Sequence, residues 1–152
     1  MFSLYLVLKY IHILSAIVAV GSNITYGAWS ARAQRDPSHL GFTLKGIRFL
    51  DNRIANPAYG VLLLTGLVMV FIGPWSITNL WIIAALILFV AIAVIGFAYF
   101  TPLVRNQIRL ADAGETSSSE FERLSRRNAV IGPLLGVIVL VILGLMVFKP
   151  NF

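Results

Sequence analysis

The sequence predicts an all-α polytopic membrane protein, a bundle of four transmembrane helices. Three observations predict it. Of 152 residues, 59% are hydrophobic and only 12% charged, where a soluble domain carries about 25% charged residues. Mean hydropathy is +0.87. A span needs about 20 mostly apolar residues, and four such runs fill the chain. Residues 1–152 are therefore one membrane domain, with no room for a separate soluble unit.

The first span covers about residues 4–29 and ends before Arg32, Arg35, Asp36 and Pro37. Ala31, Arg32 and Ala33 have the small-x-small form of a signal-peptide cleavage site. The apolar run before them is too long for such a peptide, and no basic segment precedes it, so a retained helix is expected. Residues 39–53 mix Lys45, Arg48, Asp51 and Arg53 with apolar positions 40, 44, 47 and 50. That spacing predicts an amphipathic helix, lying in the interface or extending the next span.

The second span is expected at about 54–72, with Pro57 in its first turn, where a missing N–H costs least. Gly73 and Pro74 end it. The connection to the third span is uncharged and carries Trp75, with Trp81 just beyond it; Trp favours the headgroup boundary. The third span is expected at about 80–100, stopped near Pro102. In the loop that follows, Ser118 or Ser119 is expected to cap a short helix through Glu122. The fourth span covers about 128–148, closed by Lys149 and Pro150 at the interface. No internal repeat is evident.

Two loops hold the charge. Arg32, Arg35, Lys45, Arg48 and Arg53 lie in the first, and Arg105, Arg109, Arg123, Arg126 and Arg127 in the loop after the third span. The connection between spans two and three holds none. The positive-inside rule then puts both basic loops in the cytoplasm and both termini outside, an N-out/C-out topology. The net charge of +6 is thereby a topology signal and not a nucleic-acid signal, so the expected partner is the lipid bilayer. Zero cysteines exclude disulfides, thiolate metal sites and cysteine nucleophiles.

Ionisable groups inside hydrocarbon cost roughly 2.5–3.5 kcal/mol on insertion scales, which singles out Lys9 and His12. Lys9, His12, Ala16, Ala19, Asn23 and Tyr26 follow at steps of three and four, and so share a helix face. Leu6, Ile13, Ile17, Val20 and Ile24 suit lipid on the other side. The polar face is expected to point into the bundle.

Three readings stand for His12: an iron ligand for haem b between helices, a proton relay, or a packed His bonded to a neighbouring helix. Lys9 either snorkels outward or binds an anionic group such as a porphyrin propionate. His39 falls in a loop at the wrong depth, which leaves Met69 and Met146 as candidate second ligands.

At the cytoplasmic end Asn23, Tyr26, Arg53 and Asn56 form a polar cluster, with Asp51 expected to pair with an Arg. Gly132 and Gly136, with Gly144 further on, give a GxxxG pattern that permits close packing within the bundle or in a homo-oligomer. Thr65 and Gly66 read the same way.

The stretch from Tyr5 through Lys9 to His12 resembles the opening helix of HemJ-type protoporphyrinogen oxidases, which carry Lys-x-x-His there. Arg53, Asn56 and Pro57, followed by Thr65, Gly66 and Leu67, resemble their second helix. Val147, Lys149, Pro150 and Phe152 resemble their C-terminal ending. The similarity runs over nearly the whole chain. A His and a Lys that those oxidases carry at the start of the third helix are absent here, where the chain reads Asn79, Leu80 and Trp81.

The chain accordingly looks more like bacterial four-helix relatives grouped with HemJ and with CopD-type copper-resistance proteins. That resemblance implies a bacterial inner-membrane protein with a haem or metal tie through His12 and Lys9, and no assigned reaction; the oxidase activity does not carry over, while catalysis through bound haem stays open. Two other functions stay open: a small transporter or accessory subunit with a polar cavity at Lys9 and His12, and a structural or assembly protein. No carboxylate lies within the expected spans, and no catalytic triad, metal-ligand spacing or phosphate loop occurs.

Overall fold

A computed structural model describes residues 3–150. Four long helices make up the fold: α1 Leu4–Ala33, α2 Pro37–Ile72, α3 Leu80–Asp112 and α4 Ser119–Phe148. All four are long and apolar enough to cross a membrane, and the protein is a four-helix membrane-spanning bundle. At 1.5 Å rise per residue, helices of this length reach about 45–54 Å, well beyond a hydrocarbon core of about 30 Å. The excess lies where the charges are, at the end that carries Arg32 to Arg53 and Arg105 to Arg127, called here the basic end.

Local chemistry sets the ends of the helices. The Ser3 hydroxyl accepts the N–H of Leu6, and that of Ser118 accepts the N–H of Phe121, each relieving a donor that a helix start leaves free. Lys149 ends α4 in the left-handed region at φ 44°, its N–H bonded to the carbonyl of Leu145. The cap expected at Ser118 is present. It begins α4 itself, which runs unbroken from Ser119 instead of starting near residue 128.

Two further boundaries depart from expectation. Pro57 does not open a helix, and Pro102 does not close one. Both lie inside continuous helices, each just after a widened turn of π type, at Asp51–Ala55 and Gly96–Phe100. The N–H of Asn56 bonds the carbonyl of Asp51, and the N–H of Thr101 bonds that of Gly96. A proline in a regular helix lacks its N–H and drives its ring into the carbonyl four residues back. The extra residue in each turn moves that carbonyl aside, so the helix continues. The Thr101 hydroxyl adds a bond to the Gly96 carbonyl at 3.0 Å. The amphipathic segment before Asp51 is thus the first part of α2, burying Leu40, Leu44 and Ile47.

The helices pair. α1 packs along α2, and α3 along α4, while the backbones of α2 beyond Asn56 and of α3 before Gly96 stay apart, with only the Tyr59 and Phe89 rings meeting across the gap among the described residues. At the basic end the pairs converge on a core of Ala33, Leu40, Leu44, Leu103, Val104, Leu110, Phe121 and Leu124. Lys45 and Asp112 join α2 to α3 there by an ion pair of 2.6 Å. Buried Gln107 bridges to Ser125 and Asn128 at 3.1 Å each. At the opposite end the ammonium of Lys149 lies 4.2 Å from the Trp75 ring centroid. Trp75 stacks edge-on against Trp81 and donates to the Tyr5 hydroxyl at 3.3 Å.

Candidate functional site

Between the core at the basic end and the Trp75–Lys149 cluster at the other, the two helix pairs leave a chamber of about 830 Å³. A volume of this order suits a small-molecule site, for which about 300–1,000 Å³ is usual. All four helices contribute. Small residues make the room: an added Cβ at Gly27, Gly60, Gly96 or Gly136, all in the chamber wall, would meet no atom within 4 Å. Gly132 and Gly136 therefore leave space within the bundle and do not clamp two of its helices together, which corrects the expectation of close GxxxG packing inside the bundle. Ile24, Phe97, Val137 and Leu140 line it and are more than half exposed, so the chamber opens at the side of the bundle, between helices.

The polar part of the wall gathers on α1 and α2. The Asn23 amide donates to the Ala19 carbonyl at 3.0 Å and to the Tyr59 hydroxyl. Tyr26 is 6% exposed and packs on Ile47, Ala55 and Tyr59. Its hydroxyl is buried without a hydrogen-bond partner among the described residues. Asp51 is half-buried on the first turn of the π segment, with the Asn56 amide 3.5 Å from its carboxylate. The two π turns adjoin each other: Asp51 and Asn52 share a small hollow with Phe100 and Thr101. Widened turns of this kind frequently mark functional sites.

The expected polar cluster is thus brought together in part. Asn23, Tyr26 and Asn56 line the chamber, and Arg53 does not; it is exposed on the outside of α2. The arginine partner expected for Asp51 is also missing, since no Arg or Lys nitrogen among the described residues comes within 4.0 Å of it. Tyr59 and Asn128 are wall residues that the sequence reading missed. Tyr59 sits three residues after Asn56 and four before Leu63, on one face, a spacing that was there to be read.

Lys9 and His12 part company. Lys9 is exposed, on the outside of the bundle and not on an inward face with His12. Three residues span 300° of helix, which sets Lys9 about 60° off the His12 direction. Its outward position is the snorkelling one. His12 turns inward, its Nδ1 3.0 Å from the Thr65 hydroxyl, and its ring lies against Gly66, where a Cβ would sit 2.9 Å from Cε1. Close approach through a small residue is thus realised at Thr65 and Gly66. The large chamber begins deeper, at Val20, and its polar wall lies around Tyr26 and Asp51, with neither Lys9 nor His12 lining it. Met69 and Met146 are half-buried and neither lines the chamber. Groups of three or more His, Cys, Asp or Glu side chains able to hold a metal do not occur among the described residues.

Fold and site together define a polytopic membrane protein, four helices around a chamber of ligand size with a polar wall at one end. Residues 6–150 match the family described as Predicted integral membrane protein (DUF2269), and the chain belongs to that family. Neither a curated protein nor a solved structure matches the chain.

Proposed function

We propose that the protein is a membrane-embedded binding protein, acting as a small transporter or accessory subunit, whose chamber takes an amphipathic molecule from the bilayer. The observation that carries this reading is the chamber itself: a ligand-sized space, apolar over most of its wall, with polar side chains grouped at one end and exposed apolar side chains at its lateral rim. Such a division suits a molecule with one polar head and an apolar body. The test is thermal unfolding of the purified protein with added decanol, a neutral amphiphile, since a ligand that binds only the folded state raises the midpoint. Wild-type protein is expected to gain stability, and Gly136→Leu, which fills the open space beside Gly136, to gain none. Equal responses from both proteins would remove the chamber as the binding site.

A second reading keeps haem b on His12. It rests on one observation, the Nδ1 contact with Thr65. The Thr65 hydroxyl also reaches the Val61 carbonyl at 2.7 Å; with its one proton given there, Nδ1 is the donor and Nε2 keeps its lone pair. Orientation of a ligand His by a second partner is usual at metal sites. The fit is otherwise poor. The ring edge is packed on Gly66, Lys9 faces away, and the chamber does not reach His12. A Soret band in protein from haem-replete cells, lost in His12→Ala, would establish this reading, and colourless protein that takes up no haemin would end it.

The kinship to HemJ-type and CopD-type proteins is supported by Lys9, His12, Arg53, Pro57, Lys149 and Pro150; Phe152, which completes the C-terminal pattern, lies outside the described residues. The absent His and Lys of the third helix leave oxidase activity out of the proposal. We also propose the bacterial inner membrane, with the basic end in the cytoplasm, supported by the segregation of arginines. With no native cysteine, Ser76→Cys is expected to react with an impermeant maleimide on intact cells, and Ser117→Cys only after permeabilisation.

A further inference from the structure

We propose, on the chamber reading above, that the polar end of the chamber receives a protonated amine, with Asp51 as counter-ion and the Tyr26 hydroxyl as its second contact. Among the described residues, Asp51 is the only charged side chain in the chamber wall. Its carboxylate has the Asn56 amide on one side at 3.5 Å and no cation within ion-pair distance among the described residues. Arg48 shares the adjoining small hollow without closing to 4.0 Å, and Arg53 is exposed outside it. A carboxylate withdrawn from water needs a donor or a cation. The Tyr26 hydroxyl, more than nine-tenths buried on the same wall, also makes no hydrogen bond that meets a 3.5 Å limit, with the Ser22 side chain its neighbour on α1.

Two neighbouring groups with unmet capacity define what would satisfy both. An ammonium offers several N–H donors, one for the carboxylate and one for the phenol oxygen. A neutral alcohol has one proton and satisfies one of them. An anion meets Asp51 with repulsion.

The rest of the wall agrees with this choice. Tyr26, Tyr59, Phe89, Phe97 and Phe100 all line the chamber, and Tyr59 meets Phe89 edge-on with centroids 6.1 Å apart. Aromatic faces attract cations, the more so where water is excluded. The apolar side chains of Ile92, Val137 and Leu140 would receive an alkyl body. The net charge of +6 resides mostly on the helix extensions at the basic end and disfavours a cation arriving from that water phase. The rim at Ile24, Phe97, Val137 and Leu140 offers entry from lipid instead. Two sources supply this chemistry: a soluble amphipathic amine, or a lipid with a primary ammonium headgroup.

The experiment compares decylammonium, decanol and decyl sulfate, which share one alkyl chain, by calorimetry on the full chain in a neutral maltoside detergent. Decylammonium is expected to bind at least tenfold more tightly than decanol, and decyl sulfate more weakly than either. Asp51→Asn is expected to abolish the preference and Asp51→Glu to keep it, while Tyr26→Phe weakens the amine alone by a few-fold. Circular dichroism of each variant separates a binding loss from a folding loss.

Equal binding of amine and alcohol, or a preference that survives Asp51→Asn, overturns the amine assignment and leaves the chamber reading standing. No binding of any probe overturns both. Displacement of decylammonium by short-chain phosphatidylethanolamine assigns the site to a lipid headgroup. Failure of that lipid to displace it assigns the site to a soluble amine.

Discussion

The imidazole of His12 on α1 and the hydroxyl of Thr65 on α2 meet at 3.0 Å inside the longest helix–helix contact of the bundle. Thr65 is buried and passes its own proton to the Val61 carbonyl at 2.7 Å, so one hydroxyl serves both helices. Thr65→Val keeps the shape and removes the hydrogen bond. It is expected to cost about 1 kcal/mol, the usual worth of such a bond within a membrane bundle, read from unfolding in a detergent series.

Two glycine substitutions should move stability in opposite directions. A Cβ at Gly66 would lie 2.9 Å from His12 Cε1, so Gly66→Ala forces the α1–α2 contact apart and is expected to cost about 1–3 kcal/mol. Gly136 faces open space, and Gly136→Ala is expected to stabilise by about 0.5–1 kcal/mol, because alanine loses less freedom in a helix. If both destabilise alike, the room beside Gly136 is not there.

Lys149 caps α4 and lies over Trp75. Lys149→Met retains the length of the side chain and removes the charge. A loss of about 0.5–1 kcal/mol is expected, together with a change in tryptophan emission from Trp75. Unaltered emission and stability would mean that the ammonium is solvated elsewhere.

Asp36, in the tight connection between α1 and α2, is held below the usual carboxylate range by hydrogen bonds from Ser38 and then His39. With the folded value depressed, the stabilisation is fully present above the unfolded value, about 3.9. It is lost as pH falls through the folded one. Ser38→Ala is expected to raise the Asp36 midpoint toward the ordinary value in a carboxyl ¹³C titration. A midpoint that stays put would exclude the Ser38 hydroxyl as the cause.

Hydropathy and charge made the four helices legible, since a span is mostly a matter of length and apolar content. Where those helices begin and end was harder to read. Pro57 and Pro102 carry the same local signal as prolines that bound a helix, and only the widened turns before them, a tertiary accommodation, let the helices run on. Asn23 and Tyr26 could be grouped with Asn56 from spacing alone. The chamber was not legible, because empty space arises from how helix pairs splay and no residue type encodes it. The placement of Lys9 failed on geometry of a simpler kind: steps of three accumulate an angular error that a short run does not average out.

The closed end of the bundle has a consequence for traffic. Between the chamber and the Trp75–Lys149 cap, α1 and α2 are knitted together by His12, Thr65 and Gly66, and the chamber stops at Val20. On the proposed chamber reading, that end of the chamber is a cul-de-sac and not a corridor. A ligand would leave by its point of entry, and net passage across the bilayer would require that knot to come undone first.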